Sequence, residues 1–142
     1  TVHWWILTMQ LMRTLHLELE INNQVVIDRL IRDGINACTP LGSTGYNYSI
    51  GDLVVPLDSG LLALMGVNAG QPKRWNGALV KANSVIKIKV LDVYKRPGRL
   101  CIDNLEFYDV GQIVIRPTYI LNKLYFNRKE VFLDRVRGKV FS

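Results

Sequence analysis

Apolar and polar residues alternate over residues 14–21, and this period of two constrains the chain more than any other feature. Leu15, Leu17, Leu19 and Ile21 fall on one side, while Thr14, His16, Glu18 and Glu20 fall on the other. A strand with one buried face sends every second residue into a core. Asn22-Asn23 supplies a turn, and residues 25–31 are expected to return as a second strand with Val25, Ile27 and Ile31 on one face. The alternation recurs at Ile86, Ile88 and Val90 against Lys87, Lys89 and Leu91. Leu100-Cys101-Ile102, a turn at Asp103-Asn104 and Leu105-Glu106-Phe107 read as a hairpin. Residues 112–116 add a strand closed by Pro117. Many short strands separated by turns predict a mainly β domain of sandwich type with little helix.

Other segments are less periodic. Residues 1–12 carry Val2, Trp4, Trp5, Ile6, Leu7, Leu11 and Met12 without a clean repeat. They read as a buried segment or an expression artefact, or as a surface that docks a missing neighbour. The first residue is Thr1 rather than methionine, so a processed, trimmed or incomplete chain is expected, or a misplaced start. The domain is accordingly drawn at residues 14–142, after an N-terminal segment 1–13. Tyr46 to Ile50 suits one helical turn. Leu53-Val54-Val55 suits a short strand or core segment, and Asp58-Ser59 suits the cap of a short helix or a turn before Leu61-Leu62-Ala63-Leu64-Met65. Residues 66–77 form a connection rich in glycine and asparagine. Its Lys73-Arg74-Trp75 cluster is either a phosphate clamp or a solvated turn with one anchoring aromatic. Phe132, Leu133, Val136 and Val140 follow helical spacing, against which Gly138 stands.

The chain has 142 residues, of which 49% are hydrophobic and 21% charged, values that exclude a disordered chain. That length fits one domain, able to bury about two thirds of its unfolded surface. The net charge of +6 permits a polyanionic partner. The basic residues are scattered, however, and a nucleic-acid partner is not expected. No run of 18 apolar residues occurs, so a membrane span is not expected either. Cys38 and Cys101 fit no metal-ligand or redox spacing and read as reduced thiols of a cytoplasmic protein. His16, between acidic neighbours on the polar side of its strand, reads as a surface residue.

The stretch with the most chemistry is residues 33–51. Its centre, Thr39-Pro40-Leu41-Gly42-Ser43-Thr44-Gly45-Tyr46, crowds glycines and hydroxyls before one aromatic ring. Gly42 and Gly45 permit close backbone approach. The hydroxyls and Tyr46 suit a ribose, an amide or a base edge. The same residues also make ordinary turns. No Gly-x-Ser-x-Gly elbow, Walker loop, metal cluster or Cys/His couple is present.

The order Asp33-Gly34, then residues 39–46, then Ser49-Ile50-Gly51 resembles the signature of the NAD kinase family. That signature is an Asp-Gly, then Thr-Pro-x-Gly-Ser-Thr-Ala-Tyr, then Ser-Ala-Gly-Gly. The likeness continues through residues 83–90 and from Arg96-Pro97 to Ile102-Asp103, covering roughly residues 14–140. It implies the C-terminal, mainly β, NAD-binding domain of such an enzyme. Family members transfer the terminal phosphoryl group of ATP, or of polyphosphate, to the 2′-hydroxyl of the adenosine ribose of NAD, with magnesium. By position in the motif, Asp33, Thr44, Gly45, Tyr46 and Ser49 fall where the family contacts the dinucleotide. Gly34, Thr39, Pro40, Gly42 and Ser43 fall where it shapes the loop. Gly45 stands where alanine is usual, and Gly51-Asp52 replaces Gly-Gly.

The family's catalytic aspartate lies in a Gly-Gly-Asp-Gly loop of an N-terminal domain that this chain lacks. The resemblance therefore implies an NAD-binding half that is inactive alone and assembles as a homo-oligomer, a dimer or tetramer. A non-catalytic dinucleotide-sensing module is the alternative, and an RNA-binding β domain, resting on charge alone, ranks last.

Overall fold

A computed structural model describes residues 4–44 and 54–118. The first strands are β1 (Trp4–Met9), β2 (Leu15–Ile21), β3 (Gln24–Arg32) and β4 (Gly34–Cys38), followed by a 3-10 turn at Gly42–Thr44. Then come β5 (Leu61–Val67), β6 (Gly77–Lys81), β7 (Ile86–Leu91), β8 (Gly98–Ile102), β9 (Leu105–Val110) and β10 (Gln112–Ile115). They form two antiparallel sheets. One has six strands in the order β6-β5-β4-β1-β8-β9, the other four in the order β10-β7-β2-β3. The mainly β sandwich expected from the sequence is the observed architecture.

The alternating residues build the interior. Leu15, Leu17 and Leu19 of β2 and Ile86, Ile88 and Val90 of β7 face Leu7, Ile35, Leu62, Leu64 and Leu100 of the larger sheet. Each large apolar side chain so buried contributes about 1.5–3 kcal/mol. A smaller cluster of Cys38, Val55 and Ala63 covers the far side of the larger sheet, with Trp4 and Leu61 packed against it. Strands β4 and β5 therefore have cover on both faces.

One expectation changes, and alternatives left open elsewhere are decided. The return strand does not turn Val25 and Ile31 inward. The two-residue turn sets Ile21 opposite Gln24 and Glu20 opposite Val25, which puts Val25 on the solvated side, and beyond two register shifts Ile31 lies opposite His16 while Leu30 and Arg32 face inward opposite Leu17 and Leu15. One extra residue inverts the alternation and the second restores it, so only Ile27, opposite Leu19 between the shifts, belongs to the other phase. Leu61 to Met65 belongs to a strand rather than a helix; residues 57–59 turn, and the Leu61 N–H donates to the Ser59 hydroxyl at 3.3 Å. Of the two readings of residues 53–55, a short strand or a core segment, the core segment holds at Val55. The apolar N-terminal stretch supplies β1, paired with β4 on one side and β8 on the other. The helical readings of residues 46–50 and 132–140 lie outside the described residues.

Turn chemistry matches the hairpins. Asn22 and Asn23 adopt φ of 50° and 63° between β2 and β3, as a primed two-residue turn requires. Asp103 at φ 49° turns β8 into β9.

Candidate functional site

Strand β4 carries the candidate site at its two ends. At its start, Asp33 sits between β3 and Gly34. A Cβ on Gly34 would lie 2.4 Å from the Leu7 carbonyl oxygen, so glycine is what lets β4 lie against β1 here. The Asp33 carbonyl accepts the Met9 N–H at 2.9 Å. Its carboxylate accepts the side-chain amide of Asn68 at 2.6 Å.

Asn68 opens the connection from β5 to β6, with φ at 61°. Two backbone bonds between Ile31 and Gln71, at 2.8 and 3.0 Å, tie this connection to β3. Gly70 permits the approach, since a Cβ there would meet the Ile31 carbonyl at 1.9 Å. The Arg32 guanidinium, only 3% exposed, fills the space beneath. It donates to the carbonyls of Asn68, Trp75 and Pro72, the last at 3.3 Å, and lies 6.0 Å from the centre of the Trp75 ring. Lys73 and Arg74 are exposed, which fits the solvated turn with one anchoring aromatic. Sequence reading missed Arg32 and Asn68, because neither stands in a recognisable motif.

At the far end of β4 the chain turns through residues 39–44. The Gly42 N–H donates to the Thr39 hydroxyl at 3.2 Å, and the Ser43 N–H to the Thr39 carbonyl at 2.9 Å. The Ser43 hydroxyl is fully buried. It donates to the Pro40 carbonyl at 2.6 Å and accepts the Val55 N–H at 2.9 Å. Thr39 and Ser43 thus use their side chains on the backbone and shape the loop. Thr44 closes the 3-10 turn. Gly45, Tyr46 and Ser49 lie outside the described residues.

The five residues of β4 separate Asp33 from the Thr39–Ser43 knot, a span of about 17 Å at the usual strand rise. The two ends therefore do not form one cluster. A depression of about 340 Å³ along β5 and β6, lined by Leu64, Met65, Asn76, Gly77, Ala78 and Leu79, includes none of the predicted site residues. Two groups away from the site have shifted pKa values. Burial, with Arg96 and Arg29 nearby, lowers His16 on β2 against the pull of Asp92. Burial, with Glu106 next, raises Cys101 on β8. No group of three or more His, Cys, Asp or Glu side chains among the described residues could hold a metal ion. No helix among them is long and apolar enough to cross a membrane.

The chain is 42% identical over 128 residues to an NAD kinase of Xanthomonas oryzae pv. oryzae, a match spanning 89% of this chain and 50% of that enzyme. By sequence, the chain belongs to the NAD kinase family. A Zymomonas mobilis NAD kinase is 38% identical over 132 residues, 91% of this chain and again 50% of the relative. The chain thus spans about half the length of the curated relatives it matches. Among solved structures, an NAD kinase from Archaeoglobus fulgidus in complex with ATP superposes with a TM-score of 0.81 at 20% identity, over 99% of this chain and 54% of that one. Yeast NADH kinase complexed with NADH gives 0.67 at 21% identity, over 83% of this chain and 36% of that one. These two share the fold. No family model matches the sequence.

Proposed function

We propose that this chain is the C-terminal, dinucleotide-binding half of an NAD kinase, a domain that includes β1 because that strand lies between β4 and β8. The complete enzyme would transfer a phosphoryl group from ATP or polyphosphate, with magnesium, to the adenosine ribose 2′-hydroxyl of NAD, giving NADP. The observation that carries this reading is the 42% identity over 128 residues to half of an NAD kinase.

Asp33, Thr44, Gly45, Tyr46 and Ser49 are the proposed dinucleotide contacts, with Gly34, Thr39, Pro40, Gly42 and Ser43 shaping the loop. Because Thr39 and Ser43 are engaged with backbone groups, they preset the loop rather than serve as contacts. The separation along β4 supports a division of labour in which Asp33 and the Thr39–Ser43 end of the strand serve different parts of an extended ligand.

Phosphoryl transfer needs positioning, charge neutralisation and a base for the attacking hydroxyl. The sequence holds no Gly-Gly-Asp-Gly loop to supply that base. Alone, the chain binds without catalysing.

Exposed Leu105, Phe107 and Tyr108 line β9 at the edge of the larger sheet. Apolar surface at a sheet edge supports assembly as a homo-oligomer. A cytoplasmic location follows from the reduced-thiol reading of Cys38 and Cys101.

Isothermal titration of the purified chain with NAD, and an NADP assay with ATP and magnesium, test the reading together. Saturable NAD binding with no turnover is expected. A folded chain that ignores NAD overturns the binding role, and turnover in protein free of host kinase overturns the division between halves.

A further inference from the structure

We infer that Arg32 is a positioning residue for the dinucleotide site, fastening residues 68–76 to β3 and so holding Asn68 against the Asp33 carboxylate. The inference rests on the proposed contact between Asp33 and the dinucleotide.

Arg32 carries a full charge yet is 3% exposed. A buried cation is costly unless its donors are used. No salt bridge reaches it among the described residues. Instead its two terminal nitrogens donate to three backbone carbonyls, those of Asn68, Pro72 and Trp75, all in one connection. The face of Trp75 adds a cation–π contact, with the guanidinium 6.0 Å from the ring centre. Gly66 makes room, since a Cβ there would lie 3.2 Å from both Arg32 Nε and the Trp75 ring. A lysine cannot reproduce the planar fork that reaches three carbonyls together.

The link to the site passes through one residue. Asn68 gives its carbonyl to Arg32 and its side-chain amide to Asp33. The connection has a second attachment to β3, the two backbone bonds between Ile31 and Gln71. Loss of the Arg32 fork therefore frees Asn68 while leaving the connection docked. That separates positioning from folding. Asp33 follows Arg32 directly, so the buried end of β3 aims the carboxylate that begins β4.

The test is a double-mutant cycle in the full 142-residue chain, with NAD affinity read by isothermal titration and folding checked by circular dichroism. Arg32→Lys and Asp33→Asn are each expected to weaken NAD binding by about 10- to 100-fold, the loss typical of one charge-assisted hydrogen bond. Because both act through the same bond, the double variant should be no weaker than the worse single one. In heteronuclear NMR spectra, the Asn68 carboxamide signal should shift alike in both single variants. Wild-type affinity in folded Arg32→Lys, beside a weakened Asp33→Asn, overturns the role of Arg32 and leaves the site reading standing. Fully additive losses also overturn it. Unchanged affinity in Asp33→Asn removes the site reading and this inference with it. Should Arg32→Lys fail to fold, Asn68→Ala at an exposed position takes its place in the cycle, and wild-type affinity there overturns the proposal.

Discussion

The Val55 backbone N–H donates to the Ser43 hydroxyl at 2.9 Å, and that hydroxyl donates onward to the Pro40 carbonyl at 2.6 Å. One buried oxygen thereby closes the chain across residues 44–54, the segment that holds Tyr46. Ser43→Ala leaves the Val55 N–H buried without its acceptor, at a cost of about 1–3 kcal/mol. Urea denaturation should report a loss in that range. Stability equal to wild type would mean that the hydroxyl does not anchor the loop.

Gly34 tests how tightly β4 lies against β1. A methyl group there would sit 2.4 Å from the Leu7 carbonyl oxygen and 3.1 Å from Thr8 Cα, both backbone atoms that cannot swing away. Gly34→Ala must therefore move a strand, and overpacking of this kind costs about 1–3 kcal/mol. A clear fall in melting temperature is expected. A variant as stable as the parent would show that the two strands can separate locally at no cost.

His16 gives a pH dependence whose sign can be worked out. The Arg29 guanidinium donates to its Nδ1 at 3.1 Å, which requires that nitrogen to be unprotonated. Burial first, then Arg96 and Arg29, lower its pKa from the ordinary 6.5, and Asp92 opposes them. A histidine that is harder to protonate in the fold than in the unfolded chain destabilises the fold as it takes up a proton. Its contribution is intact above pH 6.5 and is lost as pH falls below that value. Because the ring is half-exposed, the effect is small. Comparing urea midpoints of wild type and His16→Gln between pH 5 and 8 isolates it. The wild type should lose more stability than the variant on acidification; identical slopes would reject the assignment.

What could be read in the sequence divides along physical lines. Leu15, Leu17 and Leu19 were legible because one face of β2 is buried and the other solvated. Leu61 to Met65 was not, because β5 lies between β4 and β6 with cover on both sides. Such a strand has no polar face to create a period. Trp4 to Met9 fails to alternate for a similar reason, lying between β4 and β8. The two register shifts in the pairing of β3 leave no sequence mark, yet they decide that Leu17 and Leu15 meet Leu30 and Arg32 rather than residues 28 and 30. Asp33-Gly34 and residues 39–46 stood out because the motif is contiguous. Asn68 did not, since its partners Arg32 and Asp33 are 36 and 35 residues away in the chain and meet it only through the fold.

The Tyr46 ring tests whether the loop binds a ligand or merely turns the chain. If the ring lies against the dinucleotide, Tyr46→Ala removes one aromatic face from the complex, worth about 1–3 kcal/mol by analogy with base stacking. Asp33→Asn keeps the shape of its side chain and removes the charge, at about 1.5–3 kcal/mol for a charge-assisted bond. A loop that only turns the chain predicts lower thermal stability with unchanged affinity per folded molecule. Titration of NAD into both folded variants, paired with melting curves, separates the two. Weaker binding at an unchanged melting temperature is the expected result. Wild-type dissociation constants in both would end the ligand-loop assignment.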